Sequence, residues 1–277
     1  MIEKWLFPLT CFIPAFLACQ QPQTPVSSAS NQHNGDQQTI PFDTTQTVIH
    51  VLVALCDNQY QGIVPVPAKI GNGQDPDQNL YWGCSMGVRT YFSKSRNWKL
   101  IRRDRPDSAR LERLVFRHQK TGAWLVAEAW DGRLIKQCTR TFFDYCSGNR
   151  PDTLKVQHHI IGIGGNARLI AYTGHDGLMD FSIQDVYQPA NQRKREAIIL
   201  ACISSHFFRS HLEKTGAGAL LWTTGLMSPE AYTLHDALEA WLLGSSRDTV
   251  RIQAAKAYAR YQHCSEKAAL RLLINGQ

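Results

Sequence analysis

"VIHVLVAL", Val48 to Leu55, is an apolar run rich in β-branched residues. Such a run suits a strand covered on both faces, as in a parallel sheet whose crossovers lay helices over it. Three further short apolar runs have the same character: "AWLVAEAW" (Ala123–Trp130), Leu169–Thr173 and Ala197–Ala201. A fifth, "ALLWTT", covers Ala219 to Thr224.

Helical patterns stand between and after these runs. In "RLIKQCTRTFFDYCSG", Leu134, Cys138, Phe142 and Tyr145/Cys146 recur at helical spacing, and Gly148 supplies a stop. "HFFRSHLEKTG" predicts a short helix ended by Gly216. "SPEAYTLHDALEAWLLG" predicts a helix with Ser228 as N-cap, Pro229 in the first turn and Gly244 beyond the last. A final helix is expected from about Thr249 to Leu273. Strands alternating with helices predict an α/β fold: a three-layer sandwich around a mostly parallel central sheet.

The chain has 277 residues, 43% hydrophobic and 19% charged, which is ordinary for a globular protein and excludes wholesale disorder. Its formal net charge of +7 is concentrated in Ser93–Lys120. Asp104, Asp107 and Glu112 interrupt that basic run, so it reads as a solvated helix face and loop, and no nucleic-acid partner is expected.

The N-terminus carries an address. Lys4 precedes an apolar stretch, Trp5–Leu17, too short to span a bilayer but long enough for a signal-peptide core. Phe16-Leu17-Ala18-Cys19 resembles the lipobox of bacterial lipoproteins. That resemblance implies removal of residues 1–18, lipidation of Cys19 and, with Gln20 next, an outer-membrane anchor facing the periplasm. Residues 19–46, rich in Gln, Ser, Pro and Asn, predict a flexible tether to a single domain over 47–277. Of eight cysteines, Cys56, Cys84, Cys138, Cys146, Cys202 and Cys264 then remain for the domain. An oxidising compartment permits disulfides, and sequence alone does not choose a pairing.

In an open parallel sheet, functional groups gather at the carboxyl ends of strands. "IAYTGHDG" places His175 just past one such end, and "IILACISS" places Cys202 just past the next. A histidine accepts a thiol proton or stabilises the thiolate that attacks a carbonyl, and the Cys202 amide is an oxyanion donor at a strand-to-helix turn. These two motifs resemble those of the caspase–legumain superfamily of cysteine peptidases. The resemblance implies a sheet ordered 2-1-3-4, His175 as general base or acid and Cys202 as nucleophile. Where family members usually have glycine directly after the histidine, Asp176 stands here and Gly177 follows. Gly174, Asp176 and Gly177 are therefore oxyanion or pocket candidates. Thr223 and Thr224, past the fifth strand, join them by position alone.

The expected activity is hydrolysis of peptide or related amide bonds in a peptide or protein substrate, with no cofactor and no metal. The alternative from another class is a non-catalytic envelope lipoprotein that uses the fold as a binding module. Other motifs are incomplete. Gly83-Cys84-Ser85-Met86-Gly87 fits the serine-hydrolase elbow but lacks a strand before it, and reads better as a helix start. Asp75, Asp77 and Asn79 imitate a calcium loop whose sixth and twelfth positions are Leu80 and Met86.

Overall fold

The computed structural model describes residues 41–276. The expected signal peptide and Cys19 lie outside that range, as does most of the expected tether. Residues 41–46 are seated on the domain: the Asp43 amide donates to the Ile160 carbonyl, and the Gln46 carboxamide oxygen accepts from Arg117 and from Trp124 Nε1.

The apolar run at 48–55 forms β1 (Val48–Ala54), buried along its whole length. After a long loop come α1 (Val88–Lys94), β2 (Trp98–Asp104), β3 (Arg110–His118) and β4 (Trp124–Trp130). Then follow α2 (Ile135–Ser147), β5 (Pro151–Val156), β6 (His159–Gly164), β7 (Leu169–Thr173) and β8 (Glu196–Leu200). The chain closes with α3 (Ser204–Phe207), α4 (Arg209–Thr215), β9 (Gly218–Thr223), α5 (Ala231–Leu242), α6 (Arg247–Gln262), α7 (Glu266–Leu272) and β10 (Leu273–Ile274).

The main sheet has eight strands in the order β10-β9-β8-β7-β1-β4-β3-β2, and β5–β6 is a separate hairpin. Its five central strands are parallel, while β2, β3 and β10 are antiparallel to their neighbours. Alternation along β1 explains the layering. Ile49, Val51 and Val53 point into a core shared with Phe92 of α1, Leu234 of α5 and Ala254 of α6. Leu52 and Ala54 point the other way, onto Phe142 and Phe143 of α2 and Leu212 of α4. Helices thus cover both faces, as the fully apolar strands require.

Three expectations change. The basic stretch Ser93–Lys120 is no helix face: its centre is the β2–β3 hairpin, whose Leu114 and Phe116 are buried against α1. Edge pairing decides there, since charged side chains on one face of an edge strand cost little. The α5 helix starts at Ala231 with Glu230 at the N-cap, not Ser228, because the segment before it is extended: Ser228 N–H donates to Tyr258 and Ala231 N–H to the Met86 carbonyl. The single last helix is two, since His263 takes a left-handed conformation (φ 51°) and Ser265 caps α7 through the Ala268 amide.

Candidate functional site

His175 and Cys202 arise from neighbouring parallel strands in matching register. The last aligned pair of β7 and β8 is Thr173 with Leu200, so each candidate stands two residues beyond it. The Gly174 amide extends the ladder one step by donating to the Leu200 carbonyl. With strands about 4.8 Å apart, the two backbones leave the sheet side by side. Gly174 is required here. Its φ is +147°, and a Cβ would stand 2.6 Å from the Ala54 carbonyl oxygen.

Each side chain has a partner, though not the other. His175 Nε2 lies 2.7 Å from Asp180 Oδ2, a carboxylate that also accepts the Gly62 amide at 2.8 Å. Nδ1 makes no hydrogen bond among the described residues. Asp180 thereby fixes the ring and leaves Nδ1 as the nitrogen free for proton exchange. Asp180 belongs to no sequence motif; its only signal is its place five residues beyond His175, across a tight turn. Cys202 Sγ lies 3.6 Å from the Met227 carbonyl and 3.4 Å from the Met227 amide. Burial pushes the thiol's pKa up; the Met227 contact works against this, and the Asp176 carboxylate adds to it. The sulfur is a free thiol, as are the domain's five other cysteines.

Asp176 is strongly perturbed. It is fully buried, and Oδ1 accepts the Leu178 amide at 3.0 Å while Oδ2 has no partner. Desolvation, opposed by the Leu178 bond and reinforced by Asp180, pushes its pKa up to about 7. Gly177 opens a short 3-10 turn beneath it, where a Cβ would run into the Phe181 ring at 2.5 Å. The residue after Cys202 is strained: Ile203, β-branched, has φ 50° and ψ 29°. Such a conformation in a stiff side chain costs of order 1–3 kcal/mol and turns the chain sharply into α3.

Thr223 and Thr224 bind main chain. The Thr223 hydroxyl donates to the Ala201 carbonyl and is joined to Ser204 Oγ at 3.1 Å, tying β9 to the turn after β8. Thr224 Oγ1 donates to the Arg271 carbonyl at 2.7 Å. Ser85 follows no strand, as the elbow reading would need; it sits in a turn before α1.

A second polar group, inside the sheet, was hidden within two apolar runs. His50 of β1 and Glu128 of β4 are both fully buried, with Nε2 3.3 Å from Oε2. His50 Nδ1 accepts the Gly164 amide, so the ring proton sits on Nε2, facing the carboxylate. Burial opposes the Glu128 charge, but His50, Arg110 and Arg113 together hold its pKa below the ordinary value. Among the described residues no cluster of His, Cys, Asp and Glu has the makings of a metal site. Nor is any helix there long and apolar enough to cross a membrane.

Set against protein-family models, curated proteins and solved structures, the chain matches none.

Proposed function

We propose that the protein is an exported, lipid-anchored cysteine peptidase of caspase–legumain type, with Cys202 as nucleophile and His175 as its base. One observation carries the reading. His175 and Cys202 occupy equivalent positions just past adjacent parallel strands, the second on a strained turn. Counted among the parallel strands alone, β4, β1, β7, β8 and β9 stand in the order 2-1-3-4-5, which supports the same reading. His175, oriented by Asp180, takes the Cys202 proton; the thiolate adds to the amide carbonyl; His175 returns the proton to the departing amine; water then releases the acyl group. Asp176 sits where its protonated form leaves the thiolate unopposed and its ionised form disfavours it.

A second reading rests on a specific feature. The thiol and the imidazole are each engaged elsewhere, and burial pushes the thiol's pKa up. These features favour a binding module that keeps the sheet without the chemistry. A peptidyl acyloxymethyl ketone separates the two. The peptidase reading expects a covalent adduct on Cys202, formed at least tenfold more slowly in His175→Ala. Absence of an adduct, or one formed equally fast in the variant, leaves the binding module. Intact-mass measurement of the membrane fraction tests the anchor: a chain beginning at acylated Cys19 is expected.

A further inference from the structure

On the other side of the sheet from α2, the end of α1 meets α5 around an open cavity of about 300 Å³, lined by Ser85, Met86, Tyr91, Lys94, Ser95 and His235. Ser95 Oγ lies 2.9 Å from His235 Nε2, and His235 Nδ1 lies 2.8 Å from Asp236 Oδ1. The direction of these bonds follows from their neighbours. The Asp236 carboxylate only accepts, so Nδ1 carries the ring proton and Nε2 is an acceptor. Ser95 Oγ accepts the Asn97 amide at 3.2 Å, which leaves its own proton to donate to Nε2. The imidazole is held in place by aromatic edges, its centroid 5.4 Å from Tyr91 and 5.3 Å from Phe92.

We propose that Ser95, His235 and Asp236 form a serine acyl-transfer site, separate from His175 and Cys202, that acts on short-chain carboxylic esters. Ser95 Oγ bonds to the ester carbonyl carbon as its proton passes to His235 Nε2. The resulting imidazolium is flanked by Asp236 and by Glu239, whose Oε1 is 3.7 Å from Nε2. Lys94 lines the cavity and forms no ion pair among the described residues, so its ammonium is available to the developing oxyanion. The C–O bond to the alcohol breaks and His235 returns the proton to that alcohol. Water then attacks acyl-Ser95, giving its proton to His235; the acid leaves and Ser95 recovers its hydrogen. The cavity's size and its Met86 and Tyr91 lining suit a small acyl group. Ser85 shares the cavity but has no histidine partner among the described residues.

A fluorophosphonate, applied to a Cys202→Ala protein so that the cysteine site plays no part, tests this by peptide mapping. The adduct is expected on Ser95, together with hydrolysis of p-nitrophenyl butyrate that falls at least 100-fold in Ser95→Ala and about tenfold in Asp236→Asn. A folded Cys202→Ala protein with no adduct on Ser95, or with the adduct on Ser85, overturns the proposal. Because the decisive mapping is done with Ser95 and His235 intact, a misfolded variant cannot decide the matter.

Discussion

Asp176, just past the end of β7, carries a carboxyl that burial alters strongly. Its carboxyl ionises near pH 3.8 in an unfolded chain and at about 7 here. The folded state therefore holds the proton more tightly, and the associated stability, whole below pH 3.8, is lost as pH rises through 7. By linkage the loss approaches about 4 kcal/mol. Asp176→Asn cannot ionise, so its urea-unfolding free energy relative to wild type should improve by that order between pH 3.5 and pH 8. A flat difference would mean the carboxyl is solvated. The position of His175 and Cys202 just past two adjacent strands was legible in the sequence, because each follows an apolar run. Asp180 was not, since its partnership depends on a tight turn and on the Gly62 amide reaching across from a distant loop. The serine group at α1 escaped for a similar reason: Ser95 and His235 are 140 residues apart and only the packing of α1 on α5 joins them.

At the scale of elements, β1 and β4 are apolar but for a buried polar pair, His50 and Glu128, that meets Arg110 of β3. Arg110, despite its own burial, is held charged by Glu128 and Asp107. Removing one member strands the rest, at a cost of about 3–5 kcal/mol. Glu128→Gln should lower stability by about 3 kcal/mol at pH 7. Because the Glu128 pKa is depressed below 4.5, its contribution exists above that pH and fades as acid protonates it. The gap between variant and wild type should accordingly narrow below pH 4 in denaturant titrations. The parallel strands were readable because both faces are covered and their runs stay apolar. The hairpin β2–β3 was not, because an edge strand tolerates the Lys and Arg that imitate a solvated helix. Likewise the break between α6 and α7 hangs on one left-handed His263, a conformation no periodicity announces.

At the scale of the molecule, the folded unit begins earlier than composition suggests. Phe42 packs so closely on Gly162 that a Cβ there would meet its ring at 2.4 Å, and Gln46 bridges Arg117 and Trp124. A chain starting at Val48 should be about 1–3 kcal/mol less stable than one starting at residue 41, readable as a melting temperature several degrees lower. Equal melting of the two would show that residues 41–47 contribute nothing. The outermost strand, β2, has a further bearing. It carries Lys99, Arg102 and Arg103, its pairing to β3 is irregular between Leu100 and Arg102, and Arg102 reaches over to the Lys155 carbonyl. A rim so charged and uneven is a poor template for another chain's backbone. Molecules crowded together at high concentration should stay dispersed instead of zipping rim to rim into fibrils.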